Sequence, residues 1–346
     1  MISQIGQWIN SKKLWAASKL KQNNNLSDKN GVVIEQSICQ LKNQTYEQFI
    51  EKRKQVYLSE LEYARQRNVI MQSWEQLLPS LPTREEFELK TAYTGFECKR
   101  ITYWSDGLKV VGYIWKPQNT EGKKLPLIIA NRGGSLELAK LTPRSGLRFG
   151  FYNFLSSGFI VIGSQYRGND GGQGKEEFGG ADINDVLNLI PLAKSLEYID
   201  TNNIFMFGAS RGGMMSYLAL KHGIKVNAVA VAGGLSDLAA NLNTFPELLT
   251  RWQSIIPDLE KNRELYLRDR SAVYWADKLD SPLLILHGSA DWRCNLDSQA
   301  LALVQRLQKY GKSHQLMVYE GDDHFLSFNR EDSEQKIIEW FKSHMK

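Results

Sequence analysis

The sequence predicts an α/β protein: a mostly parallel central sheet with helices on both faces, preceded by an N-terminal helical segment. Three observations carry this expectation. From about Thr91 onward, short apolar runs alternate with stretches of helical periodicity. Those runs are too uniformly apolar to be half exposed, which marks parallel strands covered on both faces. Before Thr91 the chain is rich in Glu, Lys, Arg and Gln, with apolar residues at helical spacing.

Taken in order, residues 1–21 carry Trp8, Ile9, Leu14 and Trp15 among lysines and read as a helix, and Gln22–Gly31 is a polar break. Between Thr45 and Leu78, Phe49, Ile50, Tyr57, Leu61 and Ala64 form a helical stripe that Pro79 and Pro82 close. This arm is expected to pack on or cap the main domain, or to pair with a partner subunit in a homo-oligomer. Phe96–Trp104 and Leu108–Trp115 alternate by two around Ser105-Asp-Gly107, a hairpin signature. Strands follow at Leu127–Ala130, Phe159–Gly163, Ile204–Phe207, Val226–Ala232, Leu283–Leu286 and Gln315–Tyr319. Helices are expected near 145–156, 181–195, 211–222, 297–310 and 332–344. The long stretch 235–280 between two strands reads as a helical insertion and the best lid candidate. The division expected is therefore residues 1–90 as arm and 91–346 as main domain.

Composition narrows the functional classes. The 346 residues are 42% hydrophobic and 11% aromatic, enough for a large core. Net charge is +5, from 43 basic and 38 acidic residues without a basic tract, so no nucleic-acid partner is expected. No apolar run approaches the length of a membrane span, and residues 1–21 lack the apolar stretch and cleavage site of a signal peptide. Cys39, Cys98 and Cys294 are an odd set without metal-ligand spacing. They imply no disulfide framework and fit a reducing, cytoplasmic setting.

Chemistry concentrates at the ends of the expected strands, where open parallel sheets bind ligands. Gly208-Ala-Ser-Arg-Gly212 lies between the run Ile204–Phe207 and a helix, the strand–turn–helix order of a nucleophile elbow. The turn would expose the Ser210 hydroxyl and set the Arg211 amide at a helix N-terminus, facing an oxyanion. Asp291 follows the run Leu283–Leu286 and His324 follows Gln315–Tyr319, at intervals of 81 and 33 residues. The order nucleophile, acid, base is that of an α/β-hydrolase fold. In this reading His324 takes the Ser210 proton and Asp291 orients the imidazole. Asp237 is the rival acid, and Asp291 would then be a helix cap. His287, at a strand end, reads as structural, with a ring nitrogen bonded to backbone.

The second oxyanion donor is expected in Asn131-Arg-Gly-Gly-Ser135, with the Gly134 amide first and Gly133 second. Arg132 beside it is a candidate contact for a substrate carboxylate. Tyr166, in the glycine-rich Ser164–Gly174, could line the pocket, and Arg167 is expected to pair with Asp182 or Asp185. No metal-ligand or nucleotide motif is present, so no cofactor is expected.

Together these segments resemble the catalytic domain of the prolyl oligopeptidase family of serine hydrolases. The resemblance rests on Arg132-Gly-Gly-Ser135, Tyr166-Arg-Gly168, Gly179–Asp185, Gly208–Gly213, Arg270-Ser-Ala272, Pro282–Asp291 and Asp323-His324. It implies an α/β-hydrolase fold and a Ser210–Asp291–His324 triad that cleaves small peptides or esters through an acyl-enzyme. A carboxylesterase acting on small esters is the near alternative, and a non-catalytic binding protein of the same fold the distant one. Two departures stand out. Arg132 replaces the family's usual histidine, and about 95 mostly helical residues stand where many members carry a β-propeller.

Overall fold

Among the described residues nine strands, numbered along the chain, form one sheet in the spatial order β1-β2-β3-β5-β4-β6-β7-β8-β9. The computed structural model describes residues 29–40, 44–92, 95–120, 122–146 and 151–346, so the helix expected over 1–21 lies outside the described residues. β2 (Phe96–Ser105) and β3 (Leu108–Pro117) make the expected hairpin. Its two-residue loop puts Asp106 and Gly107 at φ 52° and 77°, the left-handed pair that a twisted hairpin requires. β4 (Leu125–Asn131), β5 (Ile160–Ser164), β6 (Ile199–Ala209), β7 (Ala228–Ala232), β8 (Leu283–Gly288) and β9 (His314–Tyr319) are mutually parallel.

Adjacent residues of these strands feed opposite cores. Ile128, Phe205, Ala230 and Leu284 join a cluster closed by Phe341, from the helix Arg330–Ser343. Their neighbours Ile129, Met206, Val231 and Ile285 join the larger cluster on the other face. Both faces are therefore dry, which explains the continuous apolar runs. The carboxyl ends of β4, β6, β7, β8 and β9 lie side by side, and the candidate site residues follow them.

The N-terminal region departs from expectation in three places. β1 (Val33–Ile38) pairs antiparallel with β2 and forms the sheet's edge, so strand structure begins well before Thr91. Glu35, Gln36, Ser37 and Ile38 are all exposed, and six residues carry too little periodicity to be read from sequence. Cys39 and Cys98 form a disulfide that staples this edge, contrary to the expectation of no disulfide. The pairing spans 59 residues and exists because β1 lies beside β2, an adjacency that cysteine counting cannot supply. Finally, the arm does not stop at Pro82. Thr83 and Glu86 form a reciprocal cap and start a further helix, Arg84–Ala92.

The main arm helix, Tyr46–Gln66, starts at Thr45 with a capping box to Gln48. Its buried face packs on its own domain, with Tyr57 against Trp74 and Phe328. Between β7 and β8 run the helices Leu238–Thr244, Leu248–Ile255 and Arg263–Asp269. No helix among the described residues is long and apolar enough to cross a membrane.

Candidate active site

Ser210 sits between the end of β6 and the helix Arg211–Lys221, at φ 57° and ψ −125°. A non-glycine residue in that region is strained, and the neighbours hold it there. Ser210 N–H donates to Ala232 O (3.0 Å), and Ser210 O accepts from Gly213 N (2.9 Å) and Leu235 N (3.2 Å). The elbow leaves no room for side chains. A Cβ on Gly208 would stand 2.2 Å from Gly212 O, and one on Gly212 would stand 2.0 Å from Asn131 O.

Asp291 and His324 meet as the spacing anticipated. Asp291 Oδ2 lies 2.7 Å from His324 Nδ1, with both residues buried. Asp291 Oδ1 accepts the amides of Arg293 (2.9 Å) and Cys294 (2.8 Å). Burial alone would raise the Asp291 carboxyl. Attraction to and hydrogen bonding with His324, with the Cys294 amide, outweigh it and hold the group below its ordinary range. Gly233, directly after β7, is the link to the elbow. A Cβ there would stand 3.1 Å from His324 Nδ1 and 3.2 Å from Asp291 Oδ2, while the preceding residue accepts the Ser210 amide. The Ser210 turn and the Asp291–His324 pair thus border the same β-strand end.

His287 lies behind this pair, fully buried. Its Nε2 is 2.6 Å from Cys294 O and 3.4 Å from Asp291 Oδ2, and its Nδ1 has no partner. Burial lowers its pKa, with Asp291 opposing, so the ring is neutral and its approach to Asp291 is not an ion pair. Backbone bonding is the role expected for it. Asp237 instead caps the helix Leu238–Thr244, accepting from Ala240 N at 3.0 Å.

The oxyanion side is organised differently. Gly133 lies against the elbow, where a Cβ would be 3.4 Å from Ser210 Cβ. Gly134 adopts φ 63°, and its carbonyl accepts Arg211 Nη1 at 2.9 Å. Arg132 does not reach outward. Its guanidinium donates to the carbonyls of Gly133, Leu136, Leu138 and Gln165 and to Glu176 (3.2 Å), so the expected substrate carboxylate finds no free donor. The acid that neutralises it, Glu176, comes from the glycine-rich loop after β5. Tyr166 is likewise no pocket wall. It is fully buried, donates to Arg132 O (3.1 Å) and stacks under the guanidinium groups of Arg132 and Arg211. Arg167 pairs with Asp185 (2.8 Å), one of the two acids expected.

Sequence reading missed Glu176, Asp182 in its contact with Arg211 (2.7 Å), and Gly233. Only Gly233 left a signal, a Gly-Gly pair after an apolar strand like that of Gly133-Gly134. Asp291, Cys294 and His324 also bring three metal-capable atoms within 4.8 Å of one another. The imidazole nitrogen there is engaged by the carboxylate, and burial pushes the Cys294 thiol well up, keeping it protonated. The trio is thus poorly disposed to hold a cation.

The profile of the Prolyl oligopeptidase family matches residues 146–346, which take in Ser210, Asp291 and His324. The chain belongs to that family. It is a serine hydrolase of the peptidase and esterase class. Among curated relatives, the uncharacterized peptidase YtmA of Bacillus subtilis (strain 168) is 27% identical over 246 residues, covering 70% of this chain and 92% of the relative. Dipeptidyl-peptidase 5 of Porphyromonas endodontalis is 28% identical over 245 residues, 66% of this chain but 34% of the relative. The Pyrococcus horikoshii acylaminoacyl peptidase shares the fold, with TM-score 0.65 and 23% identity over 77% of this chain and 44% of that one. The chain thus spans nearly all of one of these proteins and less than half of the other two.

Proposed function

We propose that the protein cleaves short peptides through an acyl-enzyme on Ser210. The observation that carries this is the Asp291–His324 pair, hydrogen-bonded at 2.7 Å and joined to the strained Ser210 turn through Ala232 and Gly233. Ser210 Oγ attacks the scissile carbonyl carbon while its proton passes to His324 Nε2. The resulting oxyanion is met by the amides of Arg211 and Gly134, with Gly133 the neighbouring donor. His324 then returns the proton to the departing amine, and a water repeats the sequence to release the acid. Asp291, kept ionised, offsets the imidazolium charge. Peptide over ester is favoured by the names of two similar proteins, dipeptidyl-peptidase 5 and acylaminoacyl peptidase. A carboxylesterase remains the second reading, since the triad treats amide and ester carbonyls alike.

A fluorophosphonate probe is expected to label the wild type and leave Ser210→Ala unlabelled. Labelling or turnover at wild-type rate in that variant would overturn the assignment. Side-by-side aminoacyl amides and short-chain esters then rank the two bond types.

In this proposal residues 91–346 form the catalytic domain, residues 1–90 are its arm or cap, and the lid candidates are 235–280 and the N-terminal helices. Self-association through the N-terminal helices would engage residues 1–21, because the described arm helix buries its apolar face on its own domain; sedimentation of a chain lacking 1–21 tests it. The Cys39–Cys98 bridge favours an oxidising compartment over the cytoplasmic setting expected of unpaired cysteines. Thiol titration under denaturing conditions is expected to find Cys294 alone before reduction and all three cysteines after it.

A further inference from the structure

The arm helix presents more than an apolar stripe to the domain. Arg53, Tyr57, Glu60, Ala64 and Arg67 follow the i, i+4, i+7, i+11, i+14 progression that places them along one helix face. This face meets the two loops that carry Asp291 and His324.

Glu60, with its side chain 5% exposed, accepts two hydrogen bonds from Arg293, Nε at 2.8 Å and a short one from Nη2. The backbone amide of the same Arg293 donates to Asp291 Oδ1 at 2.9 Å. Two turns earlier, Arg53 donates to Ser327 Oγ and lies 6.0 Å from the centre of the Phe325 ring. Ser327 bonds through its hydroxyl and its amide to Asp323, the residue before His324. Arg293 also meets the Phe325 ring at 6.0 Å. Between the two polar contacts, Tyr57 packs edge-on against Phe328. The contact points Arg53 and Glu60 are seven residues apart, about 10 Å along a rigid helix.

We propose that the arm helix is a brace for the acid–base pair, in which Glu60 and Arg53 are positioning residues that set the separation of the Asp291 and His324 loops. This rests on the triad reading above. An apolar stripe alone would dock the arm. A buried ion pair adds little to stability once its desolvation is counted, but it fixes the placement of the groups it joins. Here Arg293 is one hydrogen bond from Asp291, and Ser327 is one hydrogen bond from Asp323, the residue before His324. Misplacing catalytic groups by about 1 Å costs on the order of 100-fold in rate, so a brace of this kind has a large effect to exert.

Glu60→Gln and Arg53→Gln are the test, read by kcat, KM, melting temperature and the low-field proton resonance of the Asp291–His324 hydrogen bond. Each variant is expected to lose about 10-fold or more in kcat, with KM within about 2-fold, and to shift or broaden that resonance. Wild-type kcat with only a lowered melting temperature would mean that the helix merely packs there, and would overturn the proposal. Should Glu60→Gln fail to fold, Arg53→Gln, at a half-exposed position, decides by the same readouts. Asp291→Asn runs alongside. If it turns over like wild type, the triad reading itself fails, whatever the brace variants do.

Discussion

On the oxyanion side, after β4 and β6, buried guanidinium groups hold the chain by donating to backbone carbonyls; on the acid–base side, after β8 and β9, buried carboxylates hold it by accepting backbone amides. Arg132 bonds four carbonyls, and Glu176 and Asp182 balance it and Arg211. Opposite them, Asp322 accepts the amides of Asp323, Phe328 and Asn329, and Asp323 those of Phe325 and Ser327. The difference teaches that most charge around this site shapes loops. Among the described buried carboxylates, Asp291 is the one hydrogen-bonded to the His324 ring.

The sharpest break of this comparison is between the two aspartates read as candidate acids. Asp291→Asn is expected to lower kcat on the order of 10³–10⁴-fold, by analogy with the buried aspartate of a serine-protease triad. Asp237→Asn should keep kcat, at most losing part of a helix cap worth about 1 kcal/mol. A reversal of the two rates would move the acid to the end of β7.

On the opposite side, Glu176→Gln removes the shared partner of two buried guanidinium groups. The expected cost is about 3–5 kcal/mol of stability, seen in denaturant unfolding, because buried Arg132 loses its acidic partner and Arg211 keeps only Asp182. A loss below about 1 kcal/mol would mean that the cluster is hydrated rather than buried.

Arg132→Ala sharpens the same point kinetically. It should cut kcat/KM on the order of 10-fold, and equally for acidic and neutral substrates, because the guanidinium shapes the oxyanion loop. A loss confined to acidic substrates would restore its expected role as a substrate contact.

The smallest effect concerns His287. Its folded pKa lies below the ordinary 6.5, so the unfolded chain binds a proton there that the folded chain excludes. Its contribution to stability is complete above about pH 6.5 and is lost as pH falls toward the folded value. The melting temperature should therefore drop on acidification below about pH 6.5, and less steeply in His287→Gln. An identical slope in the two proteins would show that other groups carry the acid sensitivity.

Much of this protein is written locally. The alternation of apolar runs and helical stretches determined the parallel sheet, since strands buried on both faces admit no polar partners. Gly208-Ala-Ser-Arg-Gly212 determined the elbow, because only glycine leaves room for the approach of Asn131 O and for the closing of the turn. The order of Ser210, Asp291 and His324 placed them after the carboxyl ends of β6, β8 and β9, because each followed a recognisable run. Tertiary structure alone decided what the cations do. Whether Arg132 faces a substrate or Glu176 depends on a loop 44 residues away, and no local pattern encodes that approach. The same holds for Glu60 and Arg293, separated by 233 residues, and for the Cys39–Cys98 bridge across β1 and β2. Periodicity reports which face of an element is buried; which residue waits on the other side is settled only when the elements pack.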